Sequence, residues 1–510
     1  MRHDIPSGLQ ERADGQTEGS YEIDLSGGGV RAALFALGAL LFIVESGVSA
    51  RVRVVSSVSG GSLVNATLAM WKDFSKATAE DFEELCRDLA RRISLRGVFF
   101  WSGWRAFLTQ LALALVWGVA AMTVFSFVAG PGATWTWRNF LVIEGCYLAV
   151  AVLLAAYQIT MGRQRTQIRA NKVFLRATSS GTTADRPKPA SRPTLADFSP
   201  SVVRHVLCAT ELTSGRPFFM DRDGVSSRTY GRGGPGISVA QAIYASAAFP
   251  IVFPPLRVSS EKLALSGSDR VDAPRKVWLS DGGVYNNLAN EFDEAFLAEA
   301  TNALRLRTGD PGPGRLQRIL INASAPSRVR PLPRMWIRRG LEATARIMSI
   351  TYENTVRPRI EALVADEGRP GSDLLIDIAV SPMEVARRLR DSLASDADAV
   401  RRAKDLIGSL SAMKTEREWI ETSTAAAAVK TVLSPIGLGP AARLLHQGYV
   451  DAAIVCHIKL AAPLGSAKSI DWFQRLLRRR AAPVPTELDA DHGEERQGRR
   501  LSAARDDLRK

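Results

Sequence analysis

The stretch of sequence that decides the fold is residues 52–68, VRVVSSVSGGSLVNATL. Its first five residues predict a buried strand, the small residues that follow predict a tight turn, and the apolar residues from Leu63 predict a helix. Ser59 stands in that turn, where small neighbours allow a strained backbone that lifts the serine hydroxyl above the sheet edge. The pattern approaches the G-x-S-x-G elbow, with Ser57 in place of the first glycine. By itself it also fits an ordinary helix N-cap.

The same order of elements occurs just before this stretch. Residues 21–25 predict a strand, residues 27–29 are three consecutive glycines, and residues 32–44 predict an apolar helix. A strand, a glycine turn and a helix, repeated in succession, predict a layered α/β domain built on a parallel sheet.

The glycine cluster is the second candidate for chemistry. Consecutive N–H groups of Gly27, Gly28 and Gly29 can point at one spot, which suits an oxyanion or a phosphate. Arg31, two residues on, is placed either to fix this loop or to meet a lipid phosphate. A nucleotide-binding loop is the alternative, but neither a Gly-Lys-Ser/Thr sequence nor a G-x-G-x-x-G fingerprint follows.

The third candidate is Asp281, which follows a predicted strand and precedes Gly282 and Gly283. A carboxylate at a strand end, with two glycines after it, can approach another side chain closely, although an Asx turn is the alternative. A nucleophilic serine needs a base, and a dyad in which Asp281 accepts the proton of Ser59 is the simplest arrangement. A Ser-His-Asp triad stays open, although nothing local singles out a histidine. The five histidines are His3, His205, His446, His457 and His492.

Two long apolar runs interrupt the α/β pattern. Residues 107–129 carry no charge, and residues 140–161 carry only Glu144, so each run is long enough to span a bilayer. We expect a transmembrane helical hairpin over residues 106–162, with buried core helices as the alternative. Arginine and lysine residues flank the pair on both sides, whereas the connecting turn holds only Arg138. The positive-inside rule then predicts a two-span membrane protein with its domain and both termini in the cytoplasm.

Net charge and hydrophobic content indicate which classes of binding partner are expected. The 510 residues carry a net charge of +14, and 46% of them are hydrophobic. An anionic partner is expected, and basic residues placed beside apolar runs favour a membrane surface. Nucleic acid is not expected, because the sequence has no zinc-type spacing and no RNA-module motif. Four widely spaced cysteines predict neither a disulfide framework nor a metal site and fit a reducing compartment: Cys86, Cys146, Cys208 and Cys456.

Taken together and in order, these pieces resemble the patatin-like phospholipase family. The resemblance covers about residues 21–460, apart from the hairpin. It is carried by SGGGVR at 26–31, SVSGG at 57–61, CATELTSG at 208–215, ASAAFP at 245–250, DGGVYNN at 281–287 and the helix-like segment 442–453.

The resemblance implies a three-layer α/β/α fold with a parallel-rich central sheet. Its first part would cover residues 20–105 and its second part residues 163–460, with a linker at 179–194. The polar ends, residues 1–19 and 461–510, predict a disordered lead and a basic, partly disordered tail.

The resemblance also implies a lipid acyl hydrolase without a cofactor, acting on membrane lipids. Ser59 would form an acyl-enzyme, Asp281 would be its base, and an oxyanion hole would be built from the loop glycines 27–29 and Gly60. The sequence departs from the family's pattern in two places: Ser57 replaces the first glycine of the elbow, and the predicted hairpin is inserted. A catalytically silent protein that uses the fold as an interaction module is the first alternative, and a nucleotide-binding membrane protein is the second.

Overall fold

The computed structural model describes residues 20–96, 192–250, 252–265, 272–292, 316–324, 336–369, 371–429, 435–465 and 468–479, with part of 164–175. The predicted transmembrane hairpin, residues 106–162, lies outside these residues, as do the predicted N-terminal lead and most of the linker. Of the helices within the described ranges, none combines the length and the apolar character that a bilayer crossing requires.

The strands of the described residues form one ten-stranded mixed sheet, which agrees with an α/β fold. Its order is β10-β9-β1-β2-β3-β4-β5-β6, and β8 joins β3 and β7 beside this path. The five strands from β10 to β3 run parallel, and the remaining pairs are antiparallel. The strands are β1 (Tyr21–Leu25), β2 (Val52–Ser57), β3 (Arg204–Glu211), β4 (Arg216–Asp221), β5 (Gly224–Ser227), β6 (Gly231–Gly233), β7 (Leu256–Ser259), β8 (Lys276–Asp281), β9 (Gln317–Asn322) and β10 (Leu374–Asp377).

Helices flank this sheet, as the layered pattern predicts. They are α1 (Gly29–Glu45), α2 (Gly60–Trp71), α3 (Ala79–Arg96), α4 (Val239–Ser246), α5 (Gly283–Asn286), α6 (Trp336–Asp366), α7 (Pro382–Ser392), α8 (Ala397–Met413), α9 (Glu416–Ala427), α10 (Leu438–Leu460) and α11 (Ile470–Arg478).

Helix α1 is buried along nearly its whole length and forms the centre of the core. A helix that is apolar on all sides is stable only when it is enclosed, and α10 encloses α1 on one side. Two glycines allow their backbones to touch. A Cβ added at Gly38 would lie 2.0 Å from the carbonyl oxygen of Leu445, and one at Gly448 would lie 2.0 Å from that of Phe35. Helix α10 thereby holds the helix whose N-terminus begins at the glycine loop.

Helix α11 lies within the segment that the sequence predicts to be a basic tail. Its apolar side chains Phe473, Leu476 and Leu477 are buried, and Phe473 packs edge-on against Tyr449 of α10 at a ring distance of 5.9 Å. Its apolar face is therefore covered by the domain. Residues 480–510 of the same segment lie outside the described ranges.

The edge of β3 brings two distant strand ends together. Leu207 pairs with Ser57 of β2 on one edge and with β4 on the other. Two residues further on, Ala209 pairs with Asp281 of β8, again opposite β4. Strands β2 and β8 therefore share one edge of β3. Because β2 runs parallel to β3 and β8 runs antiparallel to it, their carboxyl ends face each other at this point.

Candidate active site

Ser59 occupies the strained turn that the sequence predicts between β2 and α2. Its φ is 52° and its ψ is −117°, a region in which a residue other than glycine costs about 1–3 kcal/mol. Its N–H donates to the carbonyl oxygen of Ser246 at 3.1 Å, which anchors the turn. A Cβ at Gly60 would lie 2.1 Å from the carbonyl oxygen of Gly29. The elbow therefore needs glycine after the serine because the glycine loop passes directly against it.

Asp281 lies at the end of β8 and is 1% exposed. Its Oδ1 accepts a hydrogen bond from the N–H of Gly283 at 2.8 Å, whereas Oδ2 is buried and has no hydrogen bond within the described ranges. Burial raises the pKa of Asp281 to about 7, and the Gly283 N–H and the Ser59 hydroxyl act in the opposite direction. The hydroxyl is therefore within electrostatic reach of the carboxyl group. A carboxyl group with a pKa near neutrality is suited to take up and return a proton.

The glycine loop lies beside Ser59, since a Cβ added at Gly27 would lie 3.2 Å from the Cβ of Ser59. Gly28 and Gly29 have φ values of 141° and 61°, which only glycine adopts readily. Within the described part of the chain, their N–H groups and that of Gly60 form no hydrogen bond. Helices α1 and α2 begin at Gly29 and Gly60, and the partial positive charge at a helix N-terminus favours an anion.

Gly27 has a different part in the loop from the oxyanion role that the resemblance implies. Its N–H donates to the carbonyl oxygen of Asn287 at 3.0 Å and is therefore already used. A Cβ at Gly27 would lie 3.2 Å from the Cβ of Ser59 and 2.1 Å from Oδ1 of Asn287. Gly27 thus allows the loop to approach Ser59 rather than supplying a donor.

Arg31 fixes the loop, the first of the two roles that the sequence leaves open. Its side chain is 5% exposed. Its Nε donates to the carbonyl oxygen of Ala323 at 2.9 Å, and its Nη1 donates to that of Val429 at 3.0 Å. Burial lowers the pKa of Arg31 to about 10, a value at which the side chain stays charged near neutral pH. These contacts give no support to a substrate-binding role, because the guanidinium group is enclosed and bonded to backbone.

A buried hydroxyl network explains how the elbow accommodates Ser57. The Ser57 hydroxyl donates to the carbonyl oxygen of Val206 at 3.1 Å and accepts hydrogen bonds from Ser62 at 3.0 Å and Asn65 at 2.8 Å. Ser62 also meets the hydroxyl of Ser246 at 2.7 Å. The sequence contained one hint of these partners, since Ser246 lies in the ASAAFP segment, but no local pattern assigned it a role.

The histidines of the described residues have partners other than Ser59 and Asp281. His205, on β3, bonds Asn65 through Nδ1 at 2.8 Å, and burial lowers its pKa to about 4. His446 packs edge-on against Phe473, and His457 Nδ1 lies 2.8 Å from a backbone carbonyl oxygen. Within the same ranges no histidine bonds Ser59 or Asp281.

Comparisons with known proteins identify the family of the chain. A model of the patatin-like phospholipase family matches residues 25–293, more than half of the chain. Among solved structures, the chain is similar to VipD from Legionella pneumophila, with 14% sequence identity, a TM-score of 0.27, and coverage of 91% of this chain and 93% of that one. A TM-score of this size supports no inference about function. A comparison of the chain with curated proteins found no match. On the family match, the chain belongs to the patatin-like phospholipase family.

Proposed function

We propose that this protein is a serine lipid acyl hydrolase that cleaves the carboxylic esters of phospholipids or related lipids through Ser59 and Asp281. The observation that carries the proposal is the meeting of these residues at one edge of the sheet. Ser59 sits in a strained turn, and the buried Oδ2 of Asp281 has no hydrogen bond in the described residues. The family match supports lipid acyl hydrolysis in general.

In the proposed reaction, the Ser59 oxygen attacks the ester carbonyl carbon while Asp281 takes the hydroxyl proton. The carbonyl oxygen becomes an oxyanion and accepts hydrogen bonds from the N–H groups of Gly28, Gly29 and Gly60. When the tetrahedral intermediate collapses, the bond to the alcohol breaks, and the leaving oxygen takes the proton from Asp281. Water then attacks the acyl-enzyme while Asp281 takes a proton from it. When the ester bond to Ser59 breaks, the Ser59 oxygen takes this proton from Asp281 and the fatty acid leaves.

We infer that residues 106–162 form a transmembrane hairpin that holds the catalytic domain at the cytoplasmic face of a membrane, with both termini on that side. This inference rests on the two apolar runs and on the positive residues that flank them. Tethering the site to the surface that contains its substrate would raise the effective substrate concentration without any additional contact.

The test compares the detergent-solubilised wild type with Ser59→Ala and Asp281→Asn. Labelling by a fluorophosphonate probe and fatty-acid release from mixed phospholipids are measured in parallel, and thermal unfolding checks that each variant folds. We expect probe labelling and fatty-acid release to be lost in Ser59→Ala. Both rates should fall by orders of magnitude in Asp281→Asn. Ser409→Ala, on the exposed side of α8, is the matched control.

Fatty-acid release that persists in a folded Ser59→Ala variant would contradict the proposal. A folded wild type that neither reacts with the probe nor releases fatty acid would favour the alternative, in which the fold serves as a catalytically silent interaction module.

A further inference from the structure

Tyr352 lies in the middle of α6, and the proposed steps at Ser59 and Asp281 do not involve its hydroxyl group. This oxygen is buried and forms no hydrogen bond within the residues that the structure describes. Most buried side-chain polar atoms in proteins have a hydrogen-bond partner, and leaving one without a partner destabilises the folded protein. A partner that arrives with the substrate would remove this cost.

Tyr352 packs directly against the turn that carries Asp281. A Cβ added at Gly283 would lie 2.4 Å from Cε1 of Tyr352. The ring of Phe249 lies beside that of Tyr352, with 5.5 Å between their centroids and 34° between their planes. The ring is therefore held between the Asp281 turn and Phe249, and the position of its hydroxyl is fixed.

The hydroxyl stays protonated at this position. Burial raises the pKa of Tyr352 above its ordinary value, and the negative charge of Asp281 raises it further. Tyr352 can therefore donate a hydrogen bond from its hydroxyl group at a position near Asp281. A partly negative oxygen would satisfy it.

In the proposed reaction, the leaving oxygen of the ester is a partly negative oxygen on the side of Ser59 where Asp281 and Tyr352 lie. Asp281 must reach the leaving oxygen to return its proton, whereas the loop N–H groups hold the carbonyl oxygen elsewhere. The leaving oxygen therefore lies toward Asp281, where Tyr352 stands. Negative charge develops on that oxygen as the ester bond breaks, and a donor aimed at developing charge lowers the barrier.

We propose that Tyr352 is a catalytic residue of this site and donates a hydrogen bond from its hydroxyl to the leaving alcohol oxygen of the lipid ester bound at Ser59. This inference rests on the proposed function. No proton leaves Tyr352: Asp281 supplies the proton, and Tyr352 stabilises the charge until that proton arrives.

The test is Tyr352→Phe, which removes the hydroxyl and keeps the ring between Gly283 and Phe249. We expect kcat for an alkyl ester to fall about 10- to 100-fold, with KM changed little, because a hydrogen bond to charge is worth about 1.5–3 kcal/mol. For a p-nitrophenyl ester the loss should be much smaller, because that leaving group needs little stabilisation. Fluorophosphonate labelling, which expels fluoride, should remain near the wild-type rate.

Thermal stability separates this role from a structural one. Because the Tyr352 hydroxyl has no hydrogen-bond partner among the described residues, Tyr352→Phe should unfold at the same or a higher temperature than the wild type. Tyr449→Phe is the matched control, because the Tyr449 hydroxyl donates to Glu45 at 2.7 Å. It should lower the unfolding temperature and leave kcat unchanged.

A Tyr352→Phe variant with kcat within twofold of the wild type would overturn the inference, as would an equal loss for both esters. So would a fall in unfolding temperature like that of Tyr449→Phe. If the wild type shows no hydrolysis that depends on Ser59, the proposed function fails and the inference fails with it. If hydrolysis depends on Ser59 and Tyr352→Phe is unaffected, only the inference fails.

Discussion

At the scale of single residues, the titration of Asp281, the proposed base, affects both stability and the expected rate. Its pKa is about 7 in the folded protein and 3.8 as an isolated group. Below pH 4 the carboxyl group is protonated in both states, and its contribution to stability is fully present. Between about pH 4 and 7 the unfolded chain releases the proton while the folded protein keeps it, so stability falls as the pH rises. Above pH 7 the loss is complete and is about 4 kcal/mol by linkage.

We therefore predict that Asp281→Asn, which removes the buried charge, unfolds at a higher temperature than the wild type at pH 8. The difference should vanish near pH 4, and thermal unfolding over a pH series measures it. The same titration governs the rate, since only ionised Asp281 is a base. For a lipid with a non-titrating headgroup, wild-type kcat/KM should rise up to about pH 7 and then level off. A stability difference that is equal at all pH values would contradict the assigned pKa.

At the scale of elements, the glycine loop and the start of α2 are in backbone contact. The space between Gly60 and the Gly29 carbonyl oxygen has no room for a methyl group. Since the oxyanion donors are proposed to come from both sides of this contact, moving either element changes their spacing. A displacement of about 1 Å in a catalytic group can cost about 100-fold in rate.

We predict that Gly60→Ala lowers kcat/KM by about 100-fold or more and also lowers the unfolding temperature. Fatty-acid release and thermal unfolding measure the two effects. Gly408→Ala is the matched control, because this glycine lies in α8 with no atom within 4 Å of an added Cβ. It should leave activity unchanged and raise stability by up to about 1 kcal/mol. Near wild-type activity in folded Gly60→Ala would show that the loop contact is not needed for oxyanion binding.

At the scale of the whole molecule, the proposed hairpin determines which side of a membrane each part occupies. Cys86, Cys208 and Cys456 are buried in the folded domain. If Cys146 is replaced by serine, an added thiol reagent should react with a newly introduced exposed cysteine and not with these three buried ones. This background allows a direct test of topology in the full-length chain.

We predict that a membrane-impermeant maleimide added to intact cells labels a cysteine at Gly132, in the turn between the apolar runs. A cysteine at Ser409, which is exposed on α8, should be labelled only after the cells are opened. This pattern follows from the positive-inside rule, because the basic flanks stay in the cytoplasm. Labelling of Ser409→Cys but not Gly132→Cys in intact cells would mean the reverse orientation. If alkaline carbonate released the protein from the membrane fraction, that result would contradict a membrane span.

The sequence alone determined the α/β class, the elbow at Ser59, the glycine loop and the carboxylate at Asp281. Each of these depends on a local pattern in which an apolar strand runs into small residues that permit an unusual backbone. The tertiary structure alone decided which of these residues meet. Strand β8, which ends at Asp281, takes the edge of β3 just beyond the point where β2, the strand before Ser59, ends. The hydrogen bond from the Gly27 N–H and the burial of Arg31 likewise depend on distant segments. So does the Tyr352 hydroxyl, which has no hydrogen bond within the described ranges. Hydrogen-bond partners and burial are set by strand register and helix packing over long separations, and local residue preferences do not encode these.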